Sequence, residues 1–318
     1  MSILVVGSIA LDTIKTPFGS AEGVLGGSAT YFSYAASFFS EVRLVAVVGE
    51  DFPKPHLELL KRRGIGLDGL QVAPNGKTFR WSGLYETDMN AAKTLKTDLN
   101  VLADFHPKIP AHYASTPHVF LANVDPDVQM ELLNSVERPS LVGCDTMNLW
   151  ISIKADSLSR LLKKVDVFLL NDGEARQLTG ITNLIKAAVD LRKRGPKIVV
   201  IKKGEHGAIL ATKDFLFVVP AYPVEDVFDP TGAGDCFAGG FFSSLVTSGR
   251  LFDETTLRRA VIFGTVMASF NVESFSLERL KTLNNAQILE RYGQFKKLTH
   301  FDPADHTTSF KPAVVSST

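Results

Sequence analysis

The stretch DPTGAGDCFAGGF, Asp229 to Phe241, decides how the rest of the chain is read. Gly232, Ala233 and Gly234 carry little or no side chain, so their N–H groups approach an anion closely at the first turn of a helix expected from about residue 232. Unpaired donors and the helix macrodipole favour negative charge there, which makes the loop a phosphate cradle. Asp235 stands beside that cradle, where a carboxylate repels a bound phosphate unless its task is to take a proton from an attacking hydroxyl. The competing reading is an acidic residue that serves only the helix dipole.

Upstream of this helix, short apolar runs recur: ILVVG at 3–7, VRLVAVVG at 42–49, HVFLA at 118–122, LVGCD at 141–145, DVFLLN at 166–171 and KIVVIKKG at 197–204. Continuous apolar runs predict strands buried on both faces. Helical patterns over 53–63, 127–135, 151–164 and 183–194 alternate with them, which predicts an α/β fold with a mostly parallel sheet flanked by helices. Strands near 208–219 and helices over 254–270 and 285–297 complete the back half. Residues 12–25 and 76–99 break the rhythm with Thr, Phe, Trp and Tyr between turn residues, and read as extended strands of a small flap. Residues 299–318, rich in Pro, Ser and Thr, read as a loose tail.

The 318 residues carry 34 Lys+Arg against 34 Asp+Glu and are 45 % hydrophobic, values of a soluble globular chain. Zero formal charge supplies no general pull toward nucleic acid or an anionic membrane. The only cysteines, Cys144 and Cys236, form no CxxC pair and signal neither a disulfide framework nor a zinc site. MSILVVGSIALD lacks the basic region and cleavage site of a secretory signal, and no apolar run approaches the roughly 20 residues that span a bilayer. A cytoplasmic protein without nucleic-acid or membrane partners is expected. Gly64, Gly66 and Gly69 satisfy GxGxxG literally, but they follow a helical pattern and read as a helix C-cap and turn. A nucleotide-dependent oxidoreductase therefore lacks its fingerprint.

With Asp229, Thr231, Gly232, Ala233, Gly234, Asp235 and Phe237 matching D-x-T-G-A-G-D-x-F, the chain resembles the ribokinase-like carbohydrate kinases of the phosphofructokinase-B type. The resemblance covers nearly the whole chain and implies a ribokinase-like fold. Its core would span 1–11, 26–77 and 100–298, with a β lid from 12–25 and 78–99 over the substrate. It also implies an ATP-dependent kinase acting on a sugar hydroxyl, with Asp235 as general base and the 232–235 loop as anion hole. Asp12, Gly26, Gly27 and Asn123 would face the substrate. Asn171, Lys202, Gly204 and Gly207 would meet the nucleotide, with Asn171 and Glu174 ordering Mg²⁺ through water. Some relatives use a monovalent cation near Asp229, and a lid-paired homodimer is expected on the same ground.

Each assignment has a plainer counterpart. Asp12 would serve as a turn cap, the glycine pair as the entry to a helix, and Asn171 with Glu174 as a capping box. Lys202 and Lys203 would be a solvated strand end, and Cys236 a buried helix residue. Where many members carry an Asn after the glycine pair, this chain reads GGSATYF, with Ser28, Thr30 and Tyr31. Tyr31, Phe79, Trp81 and Tyr85 would offer an aromatic surface to a nucleobase or a sugar ring, unless they only pack the lid. A nucleoside kinase is thus the alternative to a sugar kinase, and a non-catalytic sugar-binding regulator stands behind both.

Overall fold

The computed structural model describes residues 1–302, so the tail expected over 299–318 lies largely outside the described residues. In chain order the strands are β1 (Ser2–Val6), β2 (Ala10–Thr16), β3 (Gly19–Gly26), β4 (Glu41–Gly49), β5 (Gly66–Ala73), β6 (Phe79–Tyr85), β7 (Ala92–Asp98), β8 (His118–Leu121), β9 (Leu141–Asp145), β10 (Val167–Asn171), β11 (Ile198–Lys202), β12 (Ala208–Ala211) and β13 (Leu216–Val219). The helices are α1 (Ser28–Ala36), α2 (Lys54–Arg62), α3 (Ala111–Ala114), α4 (Pro126–Asn134), α5 (Asn148–Ile153), α6 (Ala155–Leu162), α7 (Asp172–Thr179), α8 (Leu184–Lys193), α9 (Ala233–Thr247), α10 (Glu254–Asn271), α11 (Glu278–Lys281) and α12 (Asn285–Thr299). Among the described residues no helix is long and apolar enough to cross a membrane.

Nine strands form the main sheet in the order β13-β12-β11-β10-β9-β8-β1-β4-β5, parallel from β11 to β5, with β12 and β13 antiparallel at one edge. The apolar runs are continuous because alternate residues feed different layers. In β1, Ile3 and Val5 enter the cluster under α1, α9 and α10, whereas Leu4 and Val6 enter the one under α4, α6 and α8. Helix α9 is buried without a break from Cys236 to Val246, so it has no solvent face. Gly239 and Gly240 make that possible: a Cβ on Gly239 would lie 2.5 Å from the Phe32 carbonyl of α1, and one on Gly240 2.8 Å from the Phe263 carbonyl of α10. The motif thus serves packing as well as chemistry.

Two local readings change. The helix expected over 151–164 is two, α5 and α6, broken at Lys154, whose ammonium leaves the helix line to pair with Asp127 at 2.8 Å and Asp125 at 3.1 Å. The strands expected near 208–219 are the hairpin β12–β13, turned at Thr212, whose hydroxyl oxygen accepts the N–H of Asp214 and Phe215. Gly64 ends α2 at φ +78° with the paired hydrogen bonds of a Schellman cap, but Gly66 and Gly69 belong to β5 rather than to a turn.

The second sheet, β3-β2-β6-β7, comes from the two stretches that broke the rhythm. Parallel pairing of β2 with β6 sets Asp12 opposite Trp81 and Ile14 opposite Gly83. Ala10, Asp12, Ile14, Trp81 and Tyr85 thereby share the face turned toward the main domain, while Lys15, Arg80, Lys93 and Lys96 stand exposed on the other.

Candidate active site

Helix α9 opens at Gly232, held at φ +77°, with Asp235 in its first turn. A Cβ at position 232 would lie 2.3–2.4 Å from ring carbons of Tyr31, so both the dihedral and the space demand glycine. Asp229 is fully buried, and its Oδ1 accepts the Thr231 N–H at 2.9 Å while its Oδ2 accepts that of Ser276 at 3.2 Å. Asn271 Nδ2 donates to the Thr231 carbonyl at 2.8 Å and closes the brace. Ala233 departs from the expected cradle, since its N–H is spent on the Pro230 carbonyl at 3.0 Å. Among the described residues, the N–H groups of Gly232, Gly234 and Asp235 find no partner and stand free at the start of the helix, as an anion cradle would require.

Two cavities meet at this turn. The larger, about 630 Å³, runs from Asn171, Glu174 and Lys202 past Gly204 and Gly207 to an apolar end with Val227 and Phe237. Lid residues Tyr85, Asp88, Met89 and Asn90 also wall it, and Asn90 Nδ2 donates to Glu205 Oε1 at 2.8 Å. Its Oδ1 lies 2.6 Å from the place a Cβ on Gly204 would take. The smaller cavity, about 170 Å³, is lined by Asn123, Asp145, Thr146, Glu174, Lys202 and Asp235. Both follow the carboxyl ends of β8 to β11, where open parallel sheets bind ligands.

Lys202 sits among three carboxylates, with Nζ at 2.8 Å from Asp145 Oδ2. Burial alone would lower its pKa, but Asp145, Glu174 and Asp235 outweigh that and keep it charged. Burial pushes Asp235 up to about 7, with Asp145 adding to the rise and Lys202 opposing it. Glu174 is raised to about 7 by burial and by Asp145. Lys203 lines neither cavity.

Asp12 is buried beside Gly26, where a Cβ would fall 1.9 Å from its Oδ2, so the first glycine of the pair is the space for this carboxylate. Gly27, at φ +94°, caps α1. Burial lifts Asp12 to about 8, with Asp229 and then Asp235 adding charge repulsion. Among the described residues its Oδ1 has no hydrogen-bond partner, nor has the buried Tyr31 hydroxyl. Unpaired buried polar atoms are costly and mark where a hydroxylated ligand would bind.

Asn171 and Glu174 form the capping box, each side chain accepting the other's N–H at 2.7 Å. The second Glu174 oxygen, Asp145 and Asp235 supply oxygen donors suited to Mg²⁺, which keeps several waters and shares phosphate oxygens. No group of three or more His, Cys, Asp or Glu forms a direct metal cage among the described residues. A monovalent cation near Asp229 fits less well, because both oxygens of that buried carboxylate already face N–H donors.

The expected aromatic surface does not assemble. Tyr31 is 1 % exposed, with a ring face closed by Gly232. Tyr85 is buried and its oxygen accepts from the Thr231 hydroxyl at 3.3 Å, and Phe79 packs into the core. Trp81 alone stays half-buried on the inner lid face, against Gly83 and with Nε1 donating to Thr94. The sequence reading missed Asp145, Thr146 and Trp150; the one available signal was an acid ending the buried run LVGCD. Cys236 is buried, with its thiol donating to Asn271 Oδ1 at 3.3 Å.

The profile of the pfkB family carbohydrate kinases matches residues 3–282. A cytidine kinase of Thermococcus kodakarensis is 30% identical over 259 residues, 80% of this chain and 91% of that one. In structure the chain is similar to the Burkholderia thailandensis nucleoside kinase in complex with inosine (TM-score 0.72, 22% identity, 95% and 100% of the two chains). It is likewise similar to the ribokinase of Giardia lamblia (TM-score 0.77, 17% identity, 92% and 99%). The two structures speak for the fold. The family profile, together with the braced glycine turn, shows that the chain belongs to the pfkB family of carbohydrate kinases and is a carbohydrate or nucleoside kinase.

Proposed function

We propose that the enzyme transfers the γ-phosphoryl group of ATP to the primary hydroxyl of a nucleoside. The observation that carries the acceptor class is the inner lid face, where half-buried Trp81 stands one strand from Asp12, about 5 Å in backbone spacing. A carboxylate with a free oxygen suits sugar hydroxyls, and an indole beside it suits a flat base. A free sugar, the first expectation from the sequence, leaves the indole without work, and the likeness to a cytidine kinase supports the same choice.

In this mechanism Asp12 holds the sugar and Asp235 takes the proton of the attacking hydroxyl as its oxygen bonds to the γ-phosphorus and the bond to ADP breaks. The free N–H groups of Gly232, Gly234 and Asp235 and the charge of Lys202 stabilise the transferring group. Mg²⁺, held through water by Asn171 and Glu174, would neutralise phosphate charge. Gly204 and Gly207 border the nucleotide, and the lid excludes water.

The test measures ADP formation from Mg-ATP with cytidine, inosine, ribose and fructose, with Asp235→Asn as control. Turnover with a nucleoside, lost at least ~100-fold in the variant with ATP binding retained, is expected. Turnover only with free sugars, or near-normal turnover in Asp235→Asn, would overturn the proposal.

A further inference from the structure

Asn123 follows β8 and faces the smaller cavity, in company that leaves its side chain only one way to act. Its Oδ1 accepts the indole N–H of Trp150 at 2.9 Å. Indole offers a donor and no acceptor, so turning the amide over would set donor against donor. The Asn123 carbonyl accepts the Ser28 hydroxyl at 2.9 Å, and Ser28 is bonded in turn to Ser8, which ties this backbone to the hinge of the lid. The amide nitrogen has no partner among the described residues. The neighbouring carboxylates of Asp145, Glu174 and Asp235 are acceptors when ionised, and the Lys202 ammonium is engaged by Asp145. Asn123 therefore supplies the cavity's uncharged side-chain N–H groups, beside the backbone N–H groups of Gly234 and Asp235 and the Thr146 hydroxyl.

We propose that Trp150 is a positioning residue: it locks the Asn123 amide so that both N–H groups enter the acceptor cavity, where they recognise the furanose ring oxygen next to the reacting CH₂OH. This rests on the nucleoside reading above and sharpens it. Phosphoryl oxygens already have the α9 turn and Lys202, whereas a ring oxygen two bonds from the carbon that bears the reacting hydroxyl accepts and cannot donate. Trp150 is 8 % exposed and touches no reacting atom in this account.

The experiment pairs enzyme and substrate changes. Wild type, Trp150→Phe and Asn123→Ala are assayed with cytidine or inosine, whichever is turned over, and with the carbocyclic analogue whose ring oxygen is CH₂. One neutral hydrogen bond predicts that wild type favours the furanose about 10-fold in kcat/KM. Each variant should lose about 5–10-fold on the furanose but less than about 2-fold on the carbocycle, with unchanged ATP affinity. Equal losses on both substrates would overturn the inference while leaving the kinase reading intact, and so would a wild type indifferent to the ring oxygen. Absence of turnover with any nucleoside would overturn the nucleoside reading and this inference with it. Asn123→Ala keeps the test decisive if Trp150→Phe fails to fold.

Discussion

Replacing Asp12 by Asn should make the protein more stable in alkali and far less active. Folded Asp12 keeps its proton up to about pH 8, whereas the unfolded chain releases it near the ordinary aspartate value of 3.8. Between those values folding takes up a proton, so each unit of rising pH costs the folded state about 1.4 kcal/mol. Between pH 5.5 and 8.5 the wild type should lose about 3 kcal/mol that the uncharged variant keeps. Glu174 and Asp235 titrate in both proteins, so the difference reports Asp12 together with its repulsion from Asp229 and Asp235. Urea titrations at several pH values, without ligands, read the effect as a stability gap that widens from pH 5.5 to 8 and then levels. In the same variant kcat/KM should fall by at least ~100-fold, stability in alkali gained where function needs a buried acid. A gap that stays constant across this range would refute the buried-acid argument.

Two further outcomes follow from the α9 turn. Gly232→Ala should cost about 3 kcal/mol, combining a left-handed dihedral with overlap on the Tyr31 ring, and abolish turnover. Gly180→Ala, at φ +70° with nothing within 4 Å, should cost only about 1 kcal/mol in the same denaturation assay. The pH profile of kcat/KM should rise on its acid side with a midpoint near 7, as Asp235 must shed its proton to accept another; a flat profile from pH 5 to 8 would contradict that role.

Much of this was legible in the sequence because the signals were local. The apolar runs mark strands buried on both faces, and TGAGD marks a helix start whose dihedral only glycine tolerates. What escaped depends on distant partners. The break at Lys154 is set by acids on α4, Asp145 matters because β11 brings Lys202 beside it, and Trp150 matters because its indole reaches across to Asn123. Tyr31 misled for the same reason. Its identity suggested a stacking surface, but the ring is the floor beneath Gly232, a relation between residues about 200 positions apart.

The bridge from Asn90 to the Glu205 loop gives the lid a hold on the second ligand as well as the first. Tyr85, Asp88, Met89 and Asn90 of the flap wall the larger cavity, so departure of the spent nucleotide would wait on the flap to open. Solvent viscosity, by slowing the flap, should lengthen the residence of that product and tax turnover even when chemistry is fast.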